Sequence, residues 1–179
     1  MDVVGPRHLV LVGLMGAGKT TVGRVCAQRL GRGFVDTDDL VEAGAGVTVA
    51  DLFASEGETS FRQRERAAVI EALASPEPLV IACGGGAVVD PSNRAALRQQ
   101  GFVVWLIADP DELAARVGDD TKRPLLAGPG KAMTLKRLSA LRSDAYEEAA
   151  DVAVDTDHRS VDEVADEVIA RFQGSESRA

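Results

Sequence analysis

Gly13, Gly16, Gly18, Lys19 and Thr20 stand in the run Gly-Leu-Met-Gly-Ala-Gly-Lys-Thr, the G-x-x-x-x-G-K-[ST] spacing of a phosphate-binding loop. Glycines let the chain bend so that successive N–H groups converge on an anion, and a helix opening at Lys19 adds positive potential. In such a loop the lysine reaches the β and γ phosphates and the threonine hydroxyl supplies a magnesium ligand. Asp36-Thr37-Asp38-Asp39 follows closely. Strand alternation would put Asp36 and Asp38 on one side with Thr37 opposite. Two carboxylates beside a nucleotide can divide the work: one orients magnesium and its waters, the other accepts a hydrogen bond from an attacking hydroxyl. The plainer alternative is a solvated turn in which Asp38 or Asp39 caps the next helix.

Further along, Gly84-Gly85-Gly86 offers three residues without side chains, where a ligand can approach the backbone closely. No acidic residue closes the apolar run before them, which moves the metal role towards Asp36. Arg62, Arg64 and Arg66 lie on a charged helix with Glu58 and Glu65 at pairing distance. Solvated pairing suits Arg64 and Arg66, whereas Arg62 can equally grip an anionic substrate through its two-pronged guanidinium. Thr121-Lys-Arg123-Pro-Leu-Leu126 sits in a polar stretch flanked by Gly118 and Gly130, whose composition suits a lid that delivers Arg123 to a transferring phosphoryl group.

These residues need a scaffold. Apolar runs at 8–13, 33–37, 79–83, 102–107 and 151–154 read as five short strands, the first without polar alternation and so buried on both faces, the third buried as well. Helical spacing covers 19–30, 40–43, 49–54, 58–74, 91–100, 131–149 and 160–172, with a further helix opened by Asp109-Pro110 and a capping box at Ser160 and Glu163. Strands alternating with helices give an α/β fold, a three-layer α/β/α doubly wound parallel sheet whose ligands sit at the carboxyl ends of the strands. A single domain is expected, with its core at about 8–172, a lid at about 118–130 and a disordered tail at 173–179.

Composition narrows the classes. Of 179 residues, 20 are Lys or Arg and 28 are Asp or Glu, a net charge of −8 that repels nucleic acid. No apolar run is long enough for a bilayer and residues 9–12 are too short for a signal peptide, so the cytoplasm is the expected address. Cys26 and Cys83 have no metal-ligand spacing and read as reduced, buried thiols. Two histidines in the chain make a zinc hydrolase or a Ser/His/Asp triad poor starting points. No long apolar surface helix or heptad is visible, which points to a monomer.

Taken in order, the phosphate loop, Asp36-Thr-Asp38, Phe61-Arg62, Gly84-Gly-Gly86, Arg123-Pro-Leu-Leu126 and the pair Arg142 and Tyr146 resemble the shikimate kinases, from about Leu9 to Phe172. The resemblance implies a P-loop kinase fold with five parallel strands and a lid loop, and ATP-dependent phosphorylation of the 3-hydroxyl of shikimate, towards aromatic amino acids. It implies that Gly13, Met15, Gly16, Ala17, Gly18, Lys19, Thr20 and Thr21 hold the ATP phosphates, with Arg123 from the lid and Arg116 packed on adenine. Thr20 and, through water, Asp36 would hold Mg2+. Asp38 would meet the shikimate hydroxyls and Arg62 and Arg142 its carboxylate, with Gly84, Gly85, Gly86, Phe53 and Phe61 completing the pocket. Lys19, Asp38 and Arg123 would be the catalytic set. Where some members carry proline on the second side of adenine, this chain has Val161 or its neighbours. The rival expectations are a kinase for gluconate or a nucleoside monophosphate, and a nucleotide-binding regulator without turnover.

Overall fold

A computed structural model describes residues 7–117, 124–126 and 130–177. Five parallel strands, β1 (His8–Val12), β2 (Gly33–Asp36), β3 (Leu79–Ala82), β4 (Gly101–Ile107) and β5 (Val152–Asp155), pair in the order β2-β3-β1-β4-β5. β1 is central, with Leu9 opposite Val80 on one side and Phe102 on the other. Its five residues are all buried, as an apolar run without alternation requires.

The connecting helices are α1 (Lys19–Leu30), α2 (Thr37–Ala45), α3 (Val49–Leu73), α4 (Pro91–Gln100), α5 (Pro110–Val117), α6 (Lys131–Ala149) and α7 (Val161–Glu176), with short 3-10 turns at Ala87–Val89 and Pro124–Leu126. α1 packs with α7 on one side of the sheet, and α4 with α6 on the other. The break expected between residues 54 and 58 is a kink inside α3, at Gly57 with φ 82°. Asp109 caps α5 by accepting from Asp111 N at 2.8 Å, and the Ser160–Glu163 capping box forms as its spacing predicts.

Two expectations need correction. Residues 173–176 do not begin a disordered tail, because α7 continues to Glu176, whose carboxylate pairs with Arg32 at 3.2 Å while Phe172 is fully buried. The arginine side of Phe172 is covered by the same Arg32, 4.6 Å from the ring centre. Second, β2 ends at Asp36, so Asp38 lies in the first turn of α2 and strand alternation does not relate the two. The helix cap is Asp36 itself, which accepts from Asp38 N at 3.0 Å, rather than Asp38 or Asp39. Arg123 and most of the expected lid lie outside the described residues.

Candidate active site

The loop after β1 turns through three left-handed glycines, Gly13 at φ 145°, Gly16 at φ 86° and Gly18 at φ 92°. At Gly13 a Cβ would stand 2.5 Å from the Leu106 carbonyl of β4, so no other residue fits. Gly18 caps α1 without a side-chain bond, and the first turn of that helix holds no acidic residue. Its leading N–H groups therefore remain available to an anion. Lys19 Nζ donates to the carbonyls of Gly13 at 2.8 Å and Leu14 at 2.9 Å, folded back along the loop.

Thr20 Oγ1 donates to Asp36 Oδ2 at 2.7 Å, joining the start of α1 to the end of β2. Two hard oxygen donors this close suit Mg2+, which takes one or two protein ligands and completes its shell with water and phosphate oxygens. Thr20 and Asp36 are therefore the pair that would hold the ion.

A cavity of about 390 Å3 opens on the far side of this pair. Its wall contains Met15, Lys19, Thr20, Asp36, Asp38, Phe53, Phe61, Arg62, Glu65, Gly85, Gly86 and Arg142. The Phe53 and Phe61 rings stand 4.6 Å apart and form its apolar side. Arg62 donates to Glu65 Oε2 at 2.7 Å and to Glu58 at 3.1 Å, while Arg142, itself buried, donates to the Gly85 carbonyl at 3.0 Å. Tyr146 donates to the same carbonyl and stacks on Trp105 with ring centres 5.4 Å apart. Two guanidinium groups and a carboxylate lining one cavity are groups able to bind a small hydroxylated acid. Leu125, within the expected lid segment, also lines this cavity, and Leu126 is buried in the core.

A second cavity, about 420 Å3, lies over the loop and the start of α1 and shares Lys19 and Thr20 with the first. Gly16, Ala17, Gly18 and Thr21 line it together with Arg116 and Val161. Thr156 pins Arg116 twice, through Oγ1 and through its carbonyl, each at 2.9 Å, so the guanidinium plane is fixed at the wall. Gly13 sits beneath the loop with its carbonyl on Lys19, and Met15 faces the first cavity rather than the second.

Several residues of this site have no separate signal in the sequence. Glu65 sits on a charged helix face yet is 2% exposed. Burial pushes its carboxyl above the ordinary value, against the pull of Arg62 and Arg142. Burial works to lower the Arg62 pKa, but the Glu65 and Glu58 carboxylates together outweigh it and hold the guanidinium charged. The expected surface pairing is also redistributed: both Glu58 and Glu65 serve Arg62, while Arg64 pairs with Glu56 and Arg66 lies 3.8 Å from Asp90. Thr37, fully buried, accepts from Gly84 N at 2.9 Å. Burial raises the Tyr146 hydroxyl to about 12 and the Cys83 thiol well above its usual range.

A family model described as shikimate kinase matches residues 15–173. The chain belongs to the shikimate kinase family. A shikimate kinase of Symbiobacterium thermophilum is 52% identical over 168 residues, which cover 93% of this chain and 96% of that protein. Among solved structures, a shikimate kinase from Acinetobacter baumannii in complex with shikimate superposes with a TM-score of 0.92 at 36% identity, covering 96% of this chain and 95% of that one. A shikimate kinase from Aquifex aeolicus gives 0.81 at 27%, covering 94% and 98%. A gluconokinase from Sinorhizobium meliloti shares the fold with a TM-score of 0.60 at 24% identity, so the doubly wound kinase frame extends beyond this family while the closer likeness lies inside it.

Proposed function

We propose that this chain transfers the γ-phosphoryl group of ATP to the 3-hydroxyl of shikimate, giving shikimate 3-phosphate and ADP. The observation that carries the reading is the meeting of two cavities at Lys19 and Thr20, one walled by a phosphate loop and the other by arginines and Asp38. A donor in one cavity and an acceptor in the other would meet at that lysine, an arrangement that suits direct transfer. No covalent phosphoenzyme is needed.

The loop N–H groups and the start of α1 bind the phosphates, and Arg116 covers the base. Arg62 and Arg142 take the shikimate carboxylate in charge-assisted hydrogen bonds, which fixes the ring with its 3-hydroxyl towards Lys19. Asp38 accepts a hydrogen bond from that hydroxyl and is positioned to take its proton as the oxygen–phosphorus bond forms. The bond from phosphorus to the ADP oxygen breaks on the opposite side. Lys19, released from the Gly13 and Leu14 carbonyls to the phosphates, spreads the developing negative charge, joined by Arg123 from a lid over residues 118–130. Thr20 and Asp36 would hold Mg2+, which would supply positive charge to offset that of the phosphates. Closure of the lid would exclude water, which otherwise competes for the phosphoryl group.

The reading further takes the protein to be one domain that works as a monomer in the cytoplasm. The large exposed apolar side chains among the described residues include Ile70 on α3 and Met133 and Leu141 on α6, the last two eight positions apart along the helix. Sedimentation at micromolar concentration tests this, with a single species near 18.8 kDa expected. The catalytic reading is tested by ADP release with Mg-ATP and a panel of shikimate, gluconate and nucleoside monophosphates. Release that requires shikimate supports it, and release driven equally by gluconate refutes the acceptor assignment.

A further inference from the structure

Thr37 stands between two acidic residues with assigned work, yet its own side chain lines neither cavity and is fully buried. The β2–β3 ladder ends at the pair Asp36 and Ala82, because the chain turns into α2 at Thr37. One residue further, Cys83 N donates to Leu11 O of β1 at 3.0 Å. In a parallel sheet the next N–H points the other way, towards a strand that no longer exists. The Thr37 hydroxyl fills that gap and accepts from Gly84 N at 2.9 Å, across 47 residues of sequence. A side chain thus carries the ladder one step beyond the strand.

What hangs on that step is the acceptor wall. A Cβ on Gly84 would lie 2.7 Å from both Asp38 Oδ1 and Glu65 Oε1, so the two carboxylates close on this one backbone position. Two residues on, Arg62 Nη1 comes within 2.1 Å of the place a Gly86 Cβ would occupy. Between them the Gly85 carbonyl takes Arg142 and Tyr146. Each glycine therefore seats one or more of the groups assigned to shikimate. The turn has no side chains of its own to hold it in place.

We propose that Thr37 is a positioning residue for the acceptor: its hydroxyl fixes the triple-glycine turn against α2, and so sets Asp38 relative to Arg62 and Arg142. The inference rests on the reading of these groups as the shikimate side of the site. Without the hydroxyl, Gly84 N is a buried donor with no partner, and the turn shifts to find one. The nucleotide cavity, whose walls include neither Thr37 nor these glycines, keeps its geometry.

Steady-state kinetics on Thr37→Val, Thr37→Ala and Thr37→Ser separate the possibilities. Thr37→Val keeps the shape and deletes the acceptor; it should raise the shikimate KM and lower kcat, for a loss of about tenfold or more in kcat/KM, with the ATP KM within about twofold of wild type. Thr37→Ser, which keeps the hydroxyl, should recover shikimate kinetics, whereas Thr37→Ala should not. This Ser and Ala pair decides the matter even if the valine variant fails to fold. Shikimate kinetics unchanged in Thr37→Ala, or losses shared equally by ATP and shikimate, would overturn the proposal. Asp38→Asn run alongside isolates the underlying reading: full turnover by that variant overturns the acceptor assignment itself, while its loss of turnover beside a wild-type-like Thr37→Ala overturns only the role of Thr37.

Discussion

Gly86→Ala is a sharp probe of the acceptor wall because it alters one contact and little else. Gly86 has φ −102° and ψ −3°, a conformation open to alanine, so the backbone has no reason to move. The new methyl carbon would lie 2.1 Å from Arg62 Nη1 and 2.6 Å from both Cζ and Nη2. Unbonded heavy atoms settle at roughly 3.5 Å, so the guanidinium must withdraw by on the order of 1.4 Å. That breaks its 2.7 Å bond to Glu65, a carboxylate buried on every side, and takes it from the place where a substrate carboxylate would meet it. Losing a partly buried charge-assisted pair costs about 2–3 kcal/mol, which corresponds to roughly 30-fold to 150-fold in affinity. The assay is initial-rate ADP release with shikimate varied at saturating ATP and then the reverse. The shikimate KM should rise by about that factor while the ATP KM stays within about twofold. Because the methyl acts through Arg62, adding it to Arg62→Ala should cost almost nothing more. A shikimate KM near the wild-type value, or losses that simply add in the double variant, would refute the reasoning.

Other expectations follow from the same geometry. Asp38→Asn keeps the size of the side chain and removes its charge, so kcat should fall by about 100-fold or more while ATP still binds, read by turnover and by nucleotide titration. Asp36→Asn can still accept from Thr20 but holds a cation less well; the Mg2+ concentration for half-maximal rate should rise several-fold, with the shikimate KM little changed. At the opposite end of the sheet, His8 Nδ1 accepts from Leu79 N at 3.0 Å, and burial lowers its pKa below 6.5. Below pH 6.5 the unfolded chain takes up a proton that the folded one resists, so stability is retained above that value and lost as pH falls through and below it. His8→Asn, whose side-chain oxygen can accept the same bond, should show a smaller drop in thermal midpoint between pH 7 and pH 5; an identical drop would exclude His8 as a source of the acid sensitivity.

What the sequence made legible was local. The phosphate loop is defined by glycines whose need for positive φ is intrinsic, and the structure reproduces it at Gly13, Gly16 and Gly18. The buried strands showed as apolar runs, and the capping box at Ser160 as a four-residue pattern. What depended on distant parts of the chain was not legible. Glu65 looks like any carboxylate on a charged helix face, and its burial follows only from α3 packing against the glycine turn that follows β3. Strand alternation relates Asp36 to Asp38, but the chain leaves the sheet after Asp36, so the shared cavity of the two arises from a helix cap. The last turn of α7, small and polar in sequence, is kept helical by an ion pair from Glu176 to Arg32 and the seating of Phe172. Thr37 carried no signal, because a threonine that completes a ladder reads the same as any other.

The most direct test of phosphoryl transfer between the two cavities is a phosphorus NMR time course on purified protein with equimolar Mg-ATP and shikimate. The expected result is a single new phosphomonoester signal that grows in step with ADP, with no inorganic phosphate and no growth in Asp38→Asn. ADP accompanied by inorganic phosphate alone, or no reaction until another acceptor is supplied, would contradict it.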